Sequence, residues 1–167
     1  MTVTLRPARP EDAVGIAQVV RRAYERYVPR IGDEPAPMKA DYAKVIDGGN
    51  AWVAEQDGRL VGLLVLHPGE SHMLLENLAV DPKAQRLGVG AQLLQLAERK
   101  ARDHGLPEVR LYTNEAMTEN LTYYPRRGYR ETHRSTQEGY RRVFFTKILV
   151  PDTPQPVLTG LRDGRAS

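Results

Sequence analysis

The spacing of apolar residues divides the chain into alternating strands and helices. Short apolar and β-branched runs between turn signals predict strands at residues 3–6, 51–55, 60–67, 73–80, 109–113 and 140–149. Apolar residues at helical spacing predict helices at residues 10–27, 38–46, 91–104 and 117–126. Asp57-Gly58 and Pro68-Gly69 are typical turn pairs, so strands two to four are expected to form an antiparallel meander. The pattern as a whole predicts an α/β fold with a mixed sheet.

A glycine-containing run, Gln85-Arg86-Leu87-Gly88-Val89-Gly90, joins the fourth predicted strand to the helix that follows. Gly88 and Gly90 allow a tight turn and a close approach to the main chain, while the helix directs unpaired N–H groups toward an anion. Two common phosphate motifs are excluded. The run lacks a Gly-Lys-Ser/Thr ending, and Leu93 stands where a dinucleotide fingerprint has its third glycine. The run predicts a phosphate-binding turn for another ligand.

Length and composition favour one domain. The 167 residues are close to a common single-domain size, and we expect residues 1–150 to form that domain. Residues 151–167 contain three prolines and few large apolar residues, so they are expected to form a flexible tail. The absence of cysteine excludes disulfides and thiolate metal sites, and the four histidines lack paired metal spacing, so no metal is predicted.

Charge and hydropathy indicate the cellular setting. Residues 1–6 lead directly into a strand without the layout of a signal peptide, and no apolar run approaches about 18 residues. We therefore expect a cytoplasmic protein without membrane partners. The net charge is +3, with an arginine cluster between residues 126 and 142 that is expected to be a solvated basic face. The cluster lacks the interleaved aromatics of an RNA-binding motif, so no nucleic-acid partner is predicted. A homodimer is left open.

Three segments together resemble the GNAT superfamily of N-acetyltransferases. The glycine-containing run resembles the family's Gln/Arg-x-x-Gly-x-Gly/Ala signature, and Leu78-Ala79-Val80-Asp81-Pro82 resembles its fourth strand and the following turn. Tyr123-Tyr124-Pro125-Arg126-Arg127-Gly128-Tyr129 resembles its aromatic-Tyr-x-x-x-Gly-aromatic signature. The resemblance covers about residues 2–149. It implies a mostly antiparallel central sheet flanked by helices, with the fourth and fifth strands splayed apart. It also implies transfer of an acetyl group from acetyl-CoA to a primary amine by direct attack in a ternary complex.

The resemblance implies a site for acetyl-CoA along the fourth strand and the turn after it. The pantetheine arm would pair with a free strand edge at Leu78, Ala79 and Val80. The pyrophosphate would bind the turn, at Arg86, Leu87, Gly88, Val89, Gly90 and Ala91. Asn120 lies one helical turn before Tyr124 and is expected to contact the arm, although the family often carries Asn where Met117 stands. Tyr123 is expected to point elsewhere, into the core.

Acetylation of an amine requires a base and an acid. Deprotonating an amine of pKa about 10.4 at pH 7 costs roughly 4.6 kcal/mol. Glu76 is the candidate base, directly or through water, because a carboxylate within an apolar run needs a partner or a task. Glu115 and Tyr112 are alternatives, and an exposed or structural role for Glu76 stays open. Tyr124 occupies the family's tyrosine position and is the candidate acid that protonates the leaving thiolate.

The acceptor amine is expected to bind the segment between residues 27 and 42, because the family builds its substrate wall from the first two helices. Asp33 and Glu34 can bind a cationic amine, and Tyr27, Met38 and Tyr42 can cover its apolar body, although a solvated structural loop is the alternative for the acids. The sequence does not distinguish a small-molecule amine from a peptide amine. Two other classes remain: a non-catalytic acyl-CoA-binding or regulatory domain on the same fold, and a basic nucleic-acid binder.

Overall fold

The protein folds around one seven-stranded sheet in the order β1-β2-β3-β4-β5-β7-β6. The computed structural model describes residues 2–150, and the expected tail at 151–167 lies outside the described residues. The strands, in chain order, are β1 Val3–Pro7, β2 Ala51–Gln56, β3 Arg59–Pro68, β4 Met73–Val80, β5 Glu108–Asn114, β6 Arg130–Gln137 and β7 Tyr140–Ile148. The predicted α/β class with a mixed sheet is confirmed.

Helices connect the strands at three places, namely between β1 and β2, between β4 and β5, and between β5 and β6. The α-helices are α1 Ala13–Tyr24, α2 Val28–Ile31, α3 Tyr42–Asp47, α4 Val89–Asp103 and α5 Thr118–Tyr123. Single 3₁₀ segments occupy Pro10–Asp12, Glu25–Tyr27, Ala36–Lys39, Pro82–Leu87 and Pro125–Arg127. The predicted helix at 10–27 is thus α1 with a 3₁₀ segment at each end.

The segment before β2 differs from the sequence prediction. No helix is predicted between residues 27 and 38, yet α2 lies there with Pro29 in its first turn, where the missing N–H of proline costs no hydrogen bond. The predicted helix at 38–46 is wrong in its first half, because the backbone of Ala40 and Asp41 is extended. The Asp41 side chain caps α3 by accepting bonds from the amides of Ala43 and Lys44.

The end of the chain also differs from the prediction. The predicted helix at 117–126 divides into α5 and a 3₁₀ segment that Pro125 opens, and it ends at Gly128 in the left-handed conformation with φ 92°. The hydropathy pattern predicts no strand at β6, whose eight residues are all exposed. β6 forms because it pairs with β7 across the two-residue turn Glu138-Gly139 at the edge of the sheet. Because both of its faces are exposed, its sequence shows no apolar alternation.

The two halves of the sheet separate between β4 and β5. β2, β3 and β4 form the predicted antiparallel meander. β4 and β5 run parallel and pair only through Met73–Leu75 and Val109–Leu111. Beyond Leu75 the remaining residues of β4 pair with β3 alone. A gap therefore opens in the middle of the sheet, and the edge of β4 that faces it is unpaired.

Two apolar layers fix the helices on opposite faces of the sheet. α1 and α3 bury Ile16, Val20 and Ile46 against β2, β3 and β4. α4 packs on the other face, in a cluster that also contains Tyr124 and Tyr129. Gly62 of β3 lies directly beneath α4, since a Cβ there would come within 2.9 Å of a Leu93 methyl group. This tight contact holds the N-terminus of α4 beside the end of β4.

Candidate active site

The turn before α4 presents free backbone donors. Gly88 adopts the left-handed conformation with φ 76°, which favours glycine. The backbone amides of Val89, Gly90 and Ala91 belong to the first turn of α4. They therefore have no carbonyl acceptor within the helix. The first helical bond runs from the Gln92 amide to the Gly88 carbonyl at 3.1 Å. The turn therefore offers N–H groups and the positive end of a helix dipole to an anion.

Gly90 is in close contact with a side chain of the last helix. A Cβ at this position would come within 2.9 Å of the Tyr123 hydroxyl. Tyr123 was expected to point elsewhere, but it lines the groove over the turn, with the Arg127 guanidinium 3.8 Å from its ring centroid. The prediction that Tyr123 lies in the core is therefore wrong. α5 ends at Tyr123, so this ring lies half-buried at the rim of the groove, whereas Tyr124 fills the core.

A groove of about 320 Å³ occupies the gap between β4 and β5. It is lined by predicted cofactor-binding residues from three elements, namely Leu78, Ala79, Val80, Gly88, Gly90, Ala91 and Asn120. The other three residues of the predicted set do not line it. Val89 is buried in the core, Leu87 is exposed, and Arg86 lies on the exposed 3₁₀ segment. The groove therefore brings together the unpaired edge of β4 and the turn before α4.

Tyr124 forms part of the wall of this groove. Its ring packs edge-on against Tyr123 at 5.2 Å and against Tyr129 at 5.8 Å between ring centroids. Its hydroxyl makes no hydrogen bond with another residue of the described range 2–150. Burial raises the pKa of Tyr124 well above its usual range. The hydroxyl is therefore a protonated donor with free capacity at neutral pH.

Asn120 contacts both the groove and β5. Its side-chain amide nitrogen donates to the Thr113 hydroxyl at 2.9 Å and lies 3.7 Å from the Met117 sulfur. These bonds orient the amide toward the end of β5. The side chain therefore retains only part of its hydrogen-bonding capacity for a ligand in the groove.

Glu76 lies at an irregularity of β4. Asn77 pairs with Val65 and Leu75 pairs with Leu66, so Glu76 is the extra residue of a β-bulge. Its Oε1 atom lies 2.6 Å from Nε2 of His67, and its side chain is 41% exposed. The bulge lets a carboxylate leave the apolar face of the strand, which explains the charge within the apolar run.

A second, smaller pocket of about 60 Å³ contains Glu76. Tyr24 lines both this pocket and the groove, so the two spaces meet at its ring. The Tyr24 hydroxyl donates to Oδ1 of Asn77 at 2.8 Å, and Nδ2 of Asn77 donates to the Tyr42 hydroxyl at 3.2 Å. Of the alternative bases, Tyr112 lines this pocket, whereas Glu115 pairs with Arg134 and Arg141 outside it.

The predicted acceptor-binding residues are not gathered at one place. Tyr27 lines the large groove, and its hydroxyl accepts a bond from Arg26 at 2.8 Å. Tyr42 is buried, donates to the Pro37 carbonyl and lies with Met38 beside α1. Asp33 is exposed and pairs with Lys39 at 3.0 Å.

Glu34 is half-buried, and its backbone carbonyl accepts a bond from the Tyr140 hydroxyl at 2.8 Å. The segment borders the small pocket through Pro35, Ala36 and Pro37 instead. The assignment of acceptor-binding residues stays a prediction.

Two residues of these sites were missed in the sequence. Tyr24 belongs to the apolar stripe of α1, and nothing in that periodicity distinguishes a packing ring from one at a pocket. Arg142 belongs to the arginine cluster expected to be solvated, yet it is buried and lines the small pocket. Alternation along β7 puts Arg142 on the same face as Tyr140 and Phe144, and that pattern was the available signal.

The described residues contain neither a metal-ligating cluster nor a membrane-spanning helix. Between residues 2 and 150 no group of three or more histidine, aspartate or glutamate side chains is arranged to hold a metal ion. No helix in that range is long and apolar enough to cross a membrane.

The fold and the sequence identify the family. Residues 16–129 match the model of the Acetyltransferase (GNAT) family. The chain belongs to that family, because the match covers more than half of its length.

Sequence relatives agree with this assignment. The chain is 30% identical over 162 residues to S-(2-succino)cysteine N-acetyltransferase of Bacillus subtilis, covering 88% of this chain and 96% of the relative. It is 38% identical over 88 residues to mycothiol acetyltransferase of Thermomonospora curvata, covering 50% of this chain. The match spans only 28% of that relative, and 39% of the mycothiol acetyltransferase of Cellulomonas flavigena.

Solved structures share the fold. PaiA N-acetyltransferase of Thermoplasma acidophilum, determined with coenzyme A, superposes with a TM-score of 0.74 at 19% identity, covering 89% of this chain and 100% of the other. The ribosomal-protein-S18-alanine N-acetyltransferase of Escherichia coli gives a TM-score of 0.72 at 15% identity, covering 92% and 97%. The expected GNAT fold with splayed fourth and fifth strands is confirmed.

Gly90→Glu tests the anion-binding turn. The substitution places a carboxylate where the free amides of α4 converge, so coenzyme A affinity is expected to fall at least about tenfold. Isothermal titration calorimetry measures the affinity, and circular dichroism checks the fold. Gln95→Glu adds the same charge on the exposed side of α4 and is expected to bind like the parent. Parental affinity in folded Gly90→Glu would show that the anion binds elsewhere.

Proposed function

We propose that this protein is an acetyl-CoA-dependent N-acetyltransferase that acetylates a primary amine by direct attack in a ternary complex. One observation carries the proposal: the groove between β4 and β5 combines an unpaired strand edge, the free amides of α4 and the buried Tyr124 hydroxyl. Family membership supports the same reaction. Two relatives of Bacillus subtilis, at 30% and 27% identity, are named as N-acetyltransferases of cysteine derivatives, which favours a small amine over a peptide.

The residues of the groove fit acetyl-CoA. The turn at Gly88 and Gly90 would hold the pyrophosphate, because its amides and the α4 dipole match a double negative charge. The edge of β4 at residues 78–80 would pair with the amides of the pantetheine arm, since β3 occupies only its other edge. Bound there, acetyl-CoA supplies an activated acetyl thioester. Gln85 and Asn120, which both line the groove, can add side-chain contacts.

Tyr124 is the proposed general acid. Its pKa is raised by burial, so the hydroxyl carries its proton throughout the neutral range. Tyr124 lines the groove, and its hydroxyl has no acceptor within the described range, so we expect it to donate to the departing sulfur. A thiol of pKa about 8.5 needs only modest help to leave at pH 7, which a positioned phenol provides.

Glu76 is the proposed general base. It lines the small pocket on the other side of Tyr24, so an amine in that pocket can transfer a proton to the carboxylate directly or through water. His67 holds Oε1 at 2.6 Å and leaves the second carboxylate oxygen available. The proposed base and acid thus line different pockets, and Tyr24 lines both of them. Glu76 can remove a proton from the amine in one pocket while Tyr124 donates a proton to the sulfur in the other.

Release of free thiol from acetyl-CoA against a broad panel of primary amines tests the proposed function. We expect thiol release that depends on the amine, with the acetylated amine identified by mass spectrometry. Saturable binding of acetyl-CoA without thiol release for any amine would favour the non-catalytic acyl-CoA-binding alternative.

Tyr124→Phe removes the proposed acid and keeps the packed ring. We expect kcat at pH 7 to fall by roughly 10²–10⁴, with acetyl-CoA affinity and Tm little changed. Because burial raises the pKa of Tyr124, the parent should not lose activity through its ionisation until well above pH 10.

Tyr129→Phe is the matched control for Tyr124→Phe. It removes another buried hydroxyl of the same cluster, one that donates to Glu98 at 3.0 Å. This variant is expected to lose about 1 kcal/mol of stability and to retain kcat. A parental kcat in Tyr124→Phe, measured with chemistry rate-limiting, would assign protonation of the sulfur to another group.

Glu76→Gln tests the base. The amide keeps the shape but cannot accept a proton, so kcat should fall most at pH values below the pKa of the acceptor amine. Steady-state pH–rate profiles at saturating acetyl-CoA measure the effect, and Glu70→Gln in the exposed β3–β4 turn is the control. An unchanged profile in Glu76→Gln would give the carboxylate a structural role through His67.

A further inference from the structure

The small pocket beside Glu76 has a distinctive charge pattern. Of the residues that line it, the charged ones are Glu76 and Arg142, one of each sign. Its other walls are largely apolar and aromatic, with Pro35, Pro37 and Met117 among them. At about 60 Å³ the space is small, so it suits the head of a small molecule.

Arg142 is buried, unlike its neighbour on β7. Its side chain is 9% exposed, whereas that of Arg141 is 75% exposed and pairs with Glu115. The Arg142 guanidinium lies 4.3 Å from the ring centroid of Tyr112, and both residues line the pocket. Burial of a guanidinium is costly unless acceptors surround it, so this residue needs partners.

The described residues supply only some of the hydrogen-bond acceptors that the Arg142 guanidinium can use. Among residues 2–150, Nη1 donates to Oε1 of Gln137 at 3.0 Å and Nη2 donates to Oε1 of Glu138 at 3.3 Å. These two bonds use two of the five guanidinium N–H groups. The Glu138 side chain is 78% exposed, so its attraction is weakened by solvent. Donor capacity and positive charge remain for a ligand.

Glu76 does not neutralise Arg142. Its carboxylate bonds His67, and the described structure contains no ion pair between Glu76 and Arg142. Two opposite charges thus face one small space without pairing across it. A ligand that carries an amine and a carboxylate on neighbouring atoms complements both, and the planar guanidinium fork suits a carboxylate.

We propose that the acceptor is a free amino acid whose carboxylate is bound by Arg142 while its α-amine faces Glu76. This inference rests on the proposed acetyltransferase function. In the reaction a bond forms between the amine nitrogen and the acetyl carbon while the carbon–sulfur bond breaks. The neutral amine gives one proton to Glu76 and the sulfur receives one from Tyr124, so the products are an N-acetylamino acid and coenzyme A. Glu76 then loses its proton to solvent and the Tyr124 phenolate takes one from solvent, which restores both groups. Arg142 is a specificity-determining residue in this arrangement.

Matched acceptors test the inference on the unmodified protein. Each of five L-amino acids (methionine, phenylalanine, glutamate, lysine and S-benzylcysteine) is compared with its primary amide and its decarboxylated amine in the thiol-release assay. For each amino acid that the enzyme acetylates, we expect kcat/KM to be about 10- to 100-fold higher than for its amide or its decarboxylated amine. Equal or better turnover of the carboxylate-free amines would overturn the inference while the acetyltransferase function stands. Thiol release with none of the fifteen compounds would also overturn it, and the broader amine panel then decides the function separately.

Arg142→Met assigns the preference to this residue. The ratio of kcat/KM between amino acid and amide should fall to about one, whereas a merely structural role would lower both values equally and keep the ratio. Arg141→Met removes the same group from the exposed face of β7 and should retain the parental ratio. Arg142→Lys keeps the charge without the fork and should restore part of the preference. If folded Arg142→Met keeps the parental ratio of kcat/KM between amino acid and amide, the assignment to Arg142 is overturned. If that variant fails to fold, the matched acceptors and Arg142→Lys test the proposal instead.

Discussion

The separation of β4 from β5 is the constraint on which the rest of the site depends. The two strands pair through only three residues each, and β4 then continues alone with β3. An unpaired edge is costly in a sheet interior unless something else meets its N–H and C=O groups. In this protein the edge faces a groove instead of the core. The groove exists because β5 is held by β7 and β4 by β3, so neither strand closes the gap.

The same gap aligns the other parts of the site. α4 packs tightly over Gly62, which holds its N-terminal amides where β4 ends. The bulge at Glu76 turns a carboxylate out of β4 near the point of separation, and Tyr24 of α1 spans the space between the groove and the small pocket. Backbone geometry therefore determines where the anion, the strand-like ligand and the amine can bind. Side chains such as Tyr124 and Arg142 add proton transfer and selectivity.

Those parts of the fold that depend on short sequence patterns could be predicted from the sequence. Turn pairs and apolar runs located the meander, and the two glycines located the start of α4 within two residues. β6 was missed because its eight exposed residues carry no alternation, and it is fixed only by pairing with β7.

The small pocket could not be predicted from the sequence for a different reason. Tyr24, Glu76 and Arg142 come from three distant elements, and only the folded sheet brings them to one space. Arg142 was grouped with solvated arginines because chain proximity to Arg141 hides the fact that the two point to opposite faces of β7.

Backbone amide NMR during a titration with acetyl-CoA tests the central claim most directly, because that claim concerns main-chain donors. The account predicts saturable shifts of the amides at residues 78–80 and 88–91, together with slower hydrogen exchange there in the complex. The amides of β6, at the far edge of the sheet, should stay unchanged. Saturable binding that leaves residues 78–80 and 88–91 unperturbed, or that shifts β6 instead, would contradict the account.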